Sequence, residues 1–444
     1  MEPTGTVSNI SIAPDWTLDP DISWREHWMQ AVYFPVNQLP LVTGQEFSVT
    51  YARDTFSMWF GLVGISCQTG LLGGDDEVES ALKGAYCKPE DPPVCTCGLH
   101  ISWSRQRLAE INTKSYNEEL TTLLKHTVSF LSPGHNSAIV VISDASFLPM
   151  MLADYLKGET HFVHHLDSSL SSRFLGRLYA SSKRYSCVCL HQSIDQVIEE
   201  LIRQQPSRVI FVTEPSFSSS ILPWNALSFW YFIAKLKSEL PFEICLATPT
   251  ALRIYSVAVQ FSDLWKIRAP VGTDCEGFDL TNLDQLIQSA YLDVDAVIEP
   301  QPLWQYHGVA RSRPSLVFEL NLRKPPLLCS KELNSFILPD GSVSISQGDL
   351  TLELSLSDQL VNGVAFWAEW EIGVSEDSVI YRSPSGPAKP ISPGEKIYWK
   401  NVGPQQGVFL SHDWLTYNTR FKVITIRSLF NVNDGEPTFE FDLK

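Results

Sequence analysis

The chain has 444 residues, of which 44% are hydrophobic and 19% are charged, and its formal net charge at neutral pH is −17. This length predicts about two or three domains, and the composition excludes a largely disordered chain. The negative charge argues against direct binding to nucleic acid and suits a basic protein or peptide as partner.

The first 25 residues contain Asp15, Asp19 and Asp21 but no basic start followed by an apolar run, so no secretory signal is predicted. No apolar stretch approaches the roughly 20 residues that a membrane helix needs, and we therefore expect no membrane association. Nine cysteines in a chain without a predicted signal favour reduced thiols and a cytoplasmic or nuclear location.

Residues 1–65 show the alternation of β-strands at 28–34, 46–51 and 56–62, with turn residues between them. Three strands cannot bury a core alone, so this segment either packs on the rest of the chain or belongs to a larger sheet. Gln30 and Gln406 are each followed by a small residue, a valine and an aromatic residue. This faint repeat predicts that 1–65 is the end of a first β-barrel and that a second copy lies near the end of the chain.

Residues 66–103 form a predicted linker that contains a possible metal cluster. Cys95, Cys97 and His100 place two thiols and an imidazole within six residues, and zinc prefers four such ligands in a tetrahedron. One ligand is missing from this set, and Cys87 or the more distant His27 are the candidates for it. The alternative is a solvated turn with two free thiols.

Residues 104–245 predict an α/β domain. Residues 104–135 are helical, with Leu108 and Ile111 among their apolar points, and buried strands follow at 138–142, 161–166 and 208–213 with helical patterns between them. Ligands bind at the carboxyl ends of such parallel strands. Asp144, Asp167 and Glu214 all fall at these ends.

The turn after the first of these strands lacks the glycines that a nucleotide-type site uses. No glycine occurs from 135 to 157, and Ser146, Phe147 and Pro149 add bulk. Two interpretations stay open, a packed strand–helix corner and a weakened cofactor site in which Asp167 binds ribose hydroxyls.

Residues 246–444 predict a β-barrel, because several short alternating strands are separated by turn residues. A helical insertion is expected at about 278–298. The predicted fold class is therefore α/β plus all-β, a Rossmann-like domain followed by a β-barrel and preceded by a partial β-barrel.

Several motifs resemble the protein arginine methyltransferases, in particular members that carry two modules in one chain. The segment from Glu26 to Phe34 is similar to the family's Thr-His-Trp loop, with Glu26 at the threonine position. The resemblance covers nearly the whole chain and matches the later half of such members. Its other motifs are Cys95-x-Cys97 with His100, Glu214-Pro215, Leu222-Pro223-Trp224, Phe229-Trp230-Tyr231, Asp263-Leu264-Trp265 and Cys275-Glu276-Gly277-Phe278-Asp279.

The resemblance implies S-adenosyl-L-methionine as cofactor, arginine-containing proteins such as histones as substrates, and methylation of arginine as the activity. It implies Glu214 and His27 as catalytic candidates, Asp144 and Asp167 as cofactor-binding candidates, and zinc at Cys95, Cys97 and His100. It also implies that the complete module in this chain is a non-catalytic partner of a first module, in cis or in trans.

The sequence departs from the family pattern at three places. The glycine-rich turn is absent, Pro223 occupies the position of the second substrate-binding glutamate, and Gly403 and Pro404 replace the His-Trp pair of the loop. Because a guanidinium needs two carboxylates to hold it for methyl transfer, we expect this chain alone to be inactive. The alternatives are a stand-alone pseudoenzyme that binds arginine-rich proteins and a weak enzyme that uses the degenerate site.

Overall fold

The computed structural model divides the chain into two compact units, 1–96 and 97–444. The structure describes residues 47–53, 58–64 and 103–443, with gaps at 132–135, 157–160, 170–171, 216, 218–219, 295–296, 324–343, 354–360, 376–377, 402, 411–422 and 432–434. The predicted strand at 28–34 lies outside the described residues.

The first unit contains a β-hairpin of two strands, β1 (Phe47–Arg53) and β2 (Met58–Gly64). They pair antiparallel from Phe47 opposite Gly64 to Arg53 opposite Met58. The predicted strands at 46–51 and 56–62 are confirmed. That they belong to a truncated barrel stays a prediction.

The second unit begins with two helices, α1 (Arg105–Ile111) and α2 (Lys114–Val128). Each follows a residue whose hydroxyl caps the first turn: Ser104 accepts from the Arg107 amide and Thr113 from the Tyr116 amide. Leu108 is 45% exposed, whereas Arg107 and Glu110 of the same helix are buried.

An α/β domain follows the two helices. Its elements in chain order are β3 (Ser137–Ile142), α3 (Leu148–Tyr155), β4 (Phe162–Leu166), α4 (Ser172–Ser181), β5 (Val188–His191), α5 (Ile194–Gln204), β6 (Arg208–Val212), α6 (Ser228–Glu239) and β7 (Glu243–Thr248). A 3₁₀ turn, Pro223–Leu227, leads directly into α6.

The five strands form one parallel sheet in the order β5-β4-β3-β6-β7. The chain starts in the middle at β3, runs outward to β5, and returns to β6 on the other side of β3. The strand order therefore reverses between β3 and β6, and a crevice at the carboxyl ends of these two strands is where such sheets bind ligands. Every residue of β3 is buried, as a strand covered on both faces requires.

The rest of the second unit is mainly antiparallel β-structure. Its elements are β8 (Ala251–Phe261), α7 (Thr281–Val294), β9 (Glu299–Gln301), β10 (Gly308–Ala310), β11 (Ser315–Asn321), β12 (Ser344–Glu353), β13 (Gly363–Ser375), β14 (Ser378–Arg382), β15 (Gln406–Phe409), β16 (Val423–Asn431) and β17 (Glu436–Leu443). Seven of these strands form a sheet along β10-β8-β13-β15-β9, with β11 beside β8 and β14 beside β13, and a second sheet has the order β12-β16-β17. The predicted fold class, α/β plus all-β, is confirmed.

The α/β domain and the antiparallel sheets share one hydrophobic core. Phe229 on α6 lies edge-on to Trp370 on β13, with ring centroids 5.9 Å apart, and Trp230 packs near Phe430 on β16. Aromatic side chains of this size bury about 150–250 Å² each, so these contacts join the two layers firmly. Among the described helices, none combines the length and the apolar character needed to span a bilayer.

Candidate functional site

The turn between β3 and α3 lies at the reversal point of the parallel sheet. The Glu214 amide, just after β6, donates to the Ser143 hydroxyl at 2.9 Å, and the Ala145 amide donates to Asp167 Oδ2 at 3.0 Å. The structure therefore brings Asp167 and Glu214 to the same turn, 143–146, which we call the corner. Asp144 is a member of the corner itself, and the Ser168 hydroxyl lies 3.4 Å from its Oδ1.

The corner is closed by contacts within the chain. Ala145 has a φ of 46°, in the left-handed region where an alanine costs about 1–2 kcal/mol. Its amide is held by Asp167, and its carbonyl accepts from Arg107 Nη2 at 3.1 Å. The backbone amide and carbonyl of Ala145 are thus both bonded to side chains of the same protein. A ligand-binding turn would instead leave its amides open.

Asp167 is completely buried and both of its oxygens accept hydrogen bonds from the chain. Oδ2 accepts from Ala145, while Oδ1 accepts from the amide of Ser169 at 2.9 Å and from its hydroxyl. A ribose would have to compete with these donors for the carboxylate. Its predicted role as a ribose-binding acid stays a prediction.

Glu214 is 1% exposed and is surrounded by donors. Oε1 accepts from Arg107 Nη2 at 2.7 Å, and Oε2 accepts from the hydroxyl of Ser146 at 2.6 Å and that of Tyr116 at 3.2 Å. Burial would raise the pKa of Glu214, but the guanidinium groups of Arg107 and Arg382 outweigh burial and hold the pKa below its usual range. The acid that the sequence singled out is therefore ionised and already paired.

A second arginine enters from the antiparallel region. Arg382, the last residue of β14, lies with Nη2 2.7 Å from Glu110 Oε1 and 3.4 Å from Glu214 Oε1. Its Nε donates to Glu119 at 3.2 Å, and Glu110 also accepts from Arg107 Nη1 at 2.7 Å. We call this set the guanidinium cluster, and its members are Arg107, Glu110, Tyr116, Glu119, Glu214 and Arg382.

Most members of the guanidinium cluster carry no signal in the amino-acid sequence. Glu214 was identified because it follows a buried strand, but Arg107 and Arg382 stand 107 and 168 positions away from it in the chain. The one local signal was the pair Arg107 and Glu110, three residues apart on α1 and able to face the same way.

Strand β4 carries two buried histidines, His164 and His165, and the second of them contacts the corner. His165 contacts the Ser143 carbonyl through Nε2 at 3.0 Å and the Tyr179 hydroxyl through Nδ1 at 2.9 Å. Since a carbonyl only accepts, Nε2 carries the proton and Nδ1 accepts from tyrosine. Burial lowers the pKa of His165 to about 4, so it is neutral near pH 7. His165 therefore holds the corner in place through its hydrogen bond to the Ser143 carbonyl.

The remaining site candidates, His27, Cys95, Cys97 and His100, lie outside the described residues. In the part of the chain that the structure covers, no group of three histidine, cysteine or acidic side chains could hold a metal ion. Zinc at the predicted cysteine cluster stays a prediction.

Comparison with known proteins gives homologues along nearly the whole chain, although no family model matches it. Protein arginine N-methyltransferase 7 from Aedes aegypti is 30% identical over 432 residues, which cover 95% of this chain and 54% of that protein. The Drosophila melanogaster protein of the same name is 30% identical over 97% of this chain and 55% of its own length. The Gallus gallus protein is also 30% identical, over 81% of this chain and 50% of its own length. The chain spans about half the length of these relatives, and the predicted resemblance to arginine methyltransferases is confirmed.

Solved structures with a similar arrangement include a PRMT6 crystal structure and a Trypanosoma brucei PRMT1 enzyme–prozyme heterotetrameric complex with AdoHcy. The first has a TM-score of 0.41 at 12% identity and covers 76% of this chain and 99% of that one. The second has a TM-score of 0.48 at 11% identity and covers 78% and 95%.

Proposed function

We propose that this chain, a homologue of protein arginine N-methyltransferase 7 along nearly all of its own length, is the non-catalytic half of an arginine methyltransferase. In this proposal the whole assembly methylates arginine in proteins with S-adenosyl-L-methionine as methyl donor. A separate methyltransferase module carries the chemistry, in cis or in trans. The present chain supplies the scaffold on which that module docks.

The closed corner at the reversal point of the sheet is the observation that carries this proposal. Methyl transfer is a displacement that depends on aligned reactants, and alignment lowers the activation barrier by roughly 7–11 kcal/mol. A cofactor at the corner needs open backbone amides and free acceptors. Here the Ala145 amide donates to Asp167, and the Ala145 carbonyl accepts from Arg107. The residues of this corner do not fit S-adenosyl-L-methionine.

The substrate side of the corner supports the same proposal. Glu214 is the one acid at the predicted substrate-binding position, and its oxygens already accept from Arg107, Ser146 and Tyr116. The turn that would supply a second acid contains Pro223, which is buried in a 3₁₀ turn. An incoming arginine would find the charge of Glu214 already neutralised.

We expect the purified chain alone to show neither cofactor binding nor methyl transfer. The measurements are isothermal titration with S-adenosyl-L-methionine and transfer of labelled methyl groups to histones and to a Gly-Arg-rich peptide. An active arginine methyltransferase in the same buffers is the positive control. Saturable micromolar binding together with transfer above background would replace this proposal with the weak-enzyme alternative.

The exposed apolar face of α7 is the surface proposed to dock the catalytic module. Leu283, Leu286 and Ile287 are 45%, 71% and 36% exposed and lie three to four residues apart, on one side of the helix. The helix is held in place beside this stripe, because Asp284 accepts from the amides of Val271 and Gly272 at 2.8 Å each. A fixed helix with an uncovered apolar stripe is typical of a protein–protein contact. The proposed occupant is the half of the relatives that this chain does not match.

We expect Leu286→Glu to weaken that contact by at least tenfold, because a charge replaces an apolar anchor. The measurement is co-purification and titration of the chain with the part of the Drosophila melanogaster relative that it does not match. Ile202→Glu on α5, where Ile202 is 46% exposed, is the matched control and leaves binding unchanged. Equal binding by the Leu286→Glu variant would exclude α7 as the docking surface.

Three finer properties are part of the proposal. Histones and other arginine-rich proteins are its proposed substrates, which the net charge of −17 supports because it favours basic partners. The proposed location is the cytoplasm, the nucleus or both. Zinc is proposed at Cys95, Cys97 and His100, and metal analysis of the chain beside its Cys95→Ser variant tests that assignment.

A further inference from the structure

The guanidinium cluster places three carboxylates around two arginines in a buried space. The side chains of Arg107, Glu110, Glu214 and Arg382 are between 1% and 7% exposed. Glu119 is 23% exposed and also lies 3.9 Å from Lys400 Nζ at the edge of the cluster. The two fully buried carboxylates, Glu110 and Glu214, are balanced by the two buried arginines, so removal of either arginine leaves a buried negative charge without compensation.

The contacts of Arg382 use the planar shape of its side chain. Nε donates to Glu119 and Nη2 to Glu110, so two nitrogens of one flat group are held by two different carboxylates. The ring of Tyr116 lies 5.7 Å from the Arg382 guanidinium and 5.1 Å from that of Arg107, within the range of cation–π attraction. A point charge such as ammonium cannot reproduce this combination of forked hydrogen bonds and ring contact.

Arg107 and Arg382 reach the cluster from different layers of the fold. Arg107 comes from α1, three residues before Glu110, and belongs to the helical side. Arg382 ends β14, whose only described neighbour in the sheet is β13 at one edge. Arg382 therefore reaches the cluster from β14, a strand at the edge of the sheet, and β14 closes the cluster on that side.

We propose that the guanidinium cluster is a binding site for a guanidinium group, and that Arg382 is its intramolecular ligand. The three carboxylates and Tyr116 provide the recognition, and the free ligand class is a guanidinium such as the end of an arginine side chain. While Arg382 is present, the native chain binds no free guanidinium there. The proposal concerns the same corner as the proposed function but depends on neither cofactor binding nor methyl transfer.

The test removes the internal ligand and offers a free one. Arg382→Ala is expected to lower the thermal midpoint of unfolding by on the order of 10 °C, because buried carboxylates lose their partner. Methylguanidinium chloride at millimolar concentration is then expected to raise that midpoint in a saturable way, since a ligand that binds only the folded state stabilises it. Methylammonium chloride at equal concentration controls for charge and ionic strength.

The matched control variant is Arg427→Ala, which removes an exposed arginine whose side chain is 56% exposed and pairs with Glu440. Neither this variant nor the native chain is expected to respond to methylguanidinium. Equal stabilisation of Arg382→Ala by methylammonium, or no stabilisation by either salt, would overturn the proposal. If the variant is recovered unfolded, its refolding yield in the two salts is the measurement: a higher yield in methylguanidinium supports the proposal and equal yields overturn it.

Discussion

Replacing Glu214 by alanine is expected to lower the free energy of unfolding by about 3–5 kcal/mol, the usual cost of removing one partner from a buried ion pair. The carboxylate accepts from Arg107, Ser146 and Tyr116, and it also lies 3.4 Å from Arg382. Its loss leaves the buried Arg107 guanidinium with Glu110 as its one remaining carboxylate among the described residues. The measurement is urea denaturation followed by tryptophan fluorescence and circular dichroism.

The control for Glu214→Ala is Glu440→Ala, which removes an acid that is 74% exposed and pairs with Arg427. We expect it to change stability by about 0–1 kcal/mol, because an exposed pair is weak. The double variant Glu214→Ala, Arg107→Ala removes both charges and is expected to lose less than the sum of the two single variants. A loss for Glu214→Ala no larger than that for Glu440→Ala would contradict a stabilising role for the buried pair.

The sequence predicted the central strands of the α/β domain well because their physical signal is local. Strands β3 and β6 are buried runs of branched and aromatic residues, and a carboxylate follows each run within two residues. The same reasoning missed β5, a strand of four residues that includes Cys189 and His191. A strand this short carries too few apolar positions to show a period.

The partners of the predicted acid had no such signal. A buried ion pair between Glu214 and Arg382 depends on the final placement of β14 beside β13, and no local pattern encodes a contact over 168 positions. The burial of Arg107 on α1 has a related cause. The apolar Leu108 is 45% exposed, whereas Arg107 is buried because it pairs with Glu110 of its own helix and with the distant Glu214.

The three acids that follow the parallel strands show what the ends of strands can predict about a site. Asp144, Asp167 and Glu214 were grouped from their places after strands, and the structure brings all three to one corner. What the strand ends could not indicate is that the chain itself supplies the donors at this corner. The topology positions acids at the reversal point, and the side chains that arrive there from α1 and β14 decide whether a ligand can use them.

Acidification from pH 7.5 to pH 4.5 is expected to lower the free energy of unfolding by about 3–5 kcal/mol through the histidines of β4. Burial, and for His164 also the neighbouring His191, lowers the pKa of His164 and of His165 from 6.5 to about 4. Well above pH 6.5, as at pH 7.5, both histidines are neutral in the folded and the unfolded chain, so their contribution to stability is complete. Between pH 6.5 and 4 these histidines bind protons in the unfolded chain but stay largely neutral in the folded chain, so the free energy of unfolding falls. Urea denaturation at a series of pH values measures this slope.

The hydrogen bonds of His164 give a structural reason why its pKa is lowered in the folded chain. Gln204 donates through Nε2 to Glu200, so its Oε1 accepts from His164 Nε2 at 3.0 Å, and His164 Nδ1 is left to accept from His191 Nε2 at 3.1 Å. A proton on His164 Nδ1 would face the proton of His191. His164→Gln is therefore expected to reduce the slope by about half, whereas His307→Gln, at an exposed position, leaves it unchanged. A stability that stays flat from pH 7.5 to 5, or a slope that His307→Gln reduces equally, would assign the acid sensitivity elsewhere.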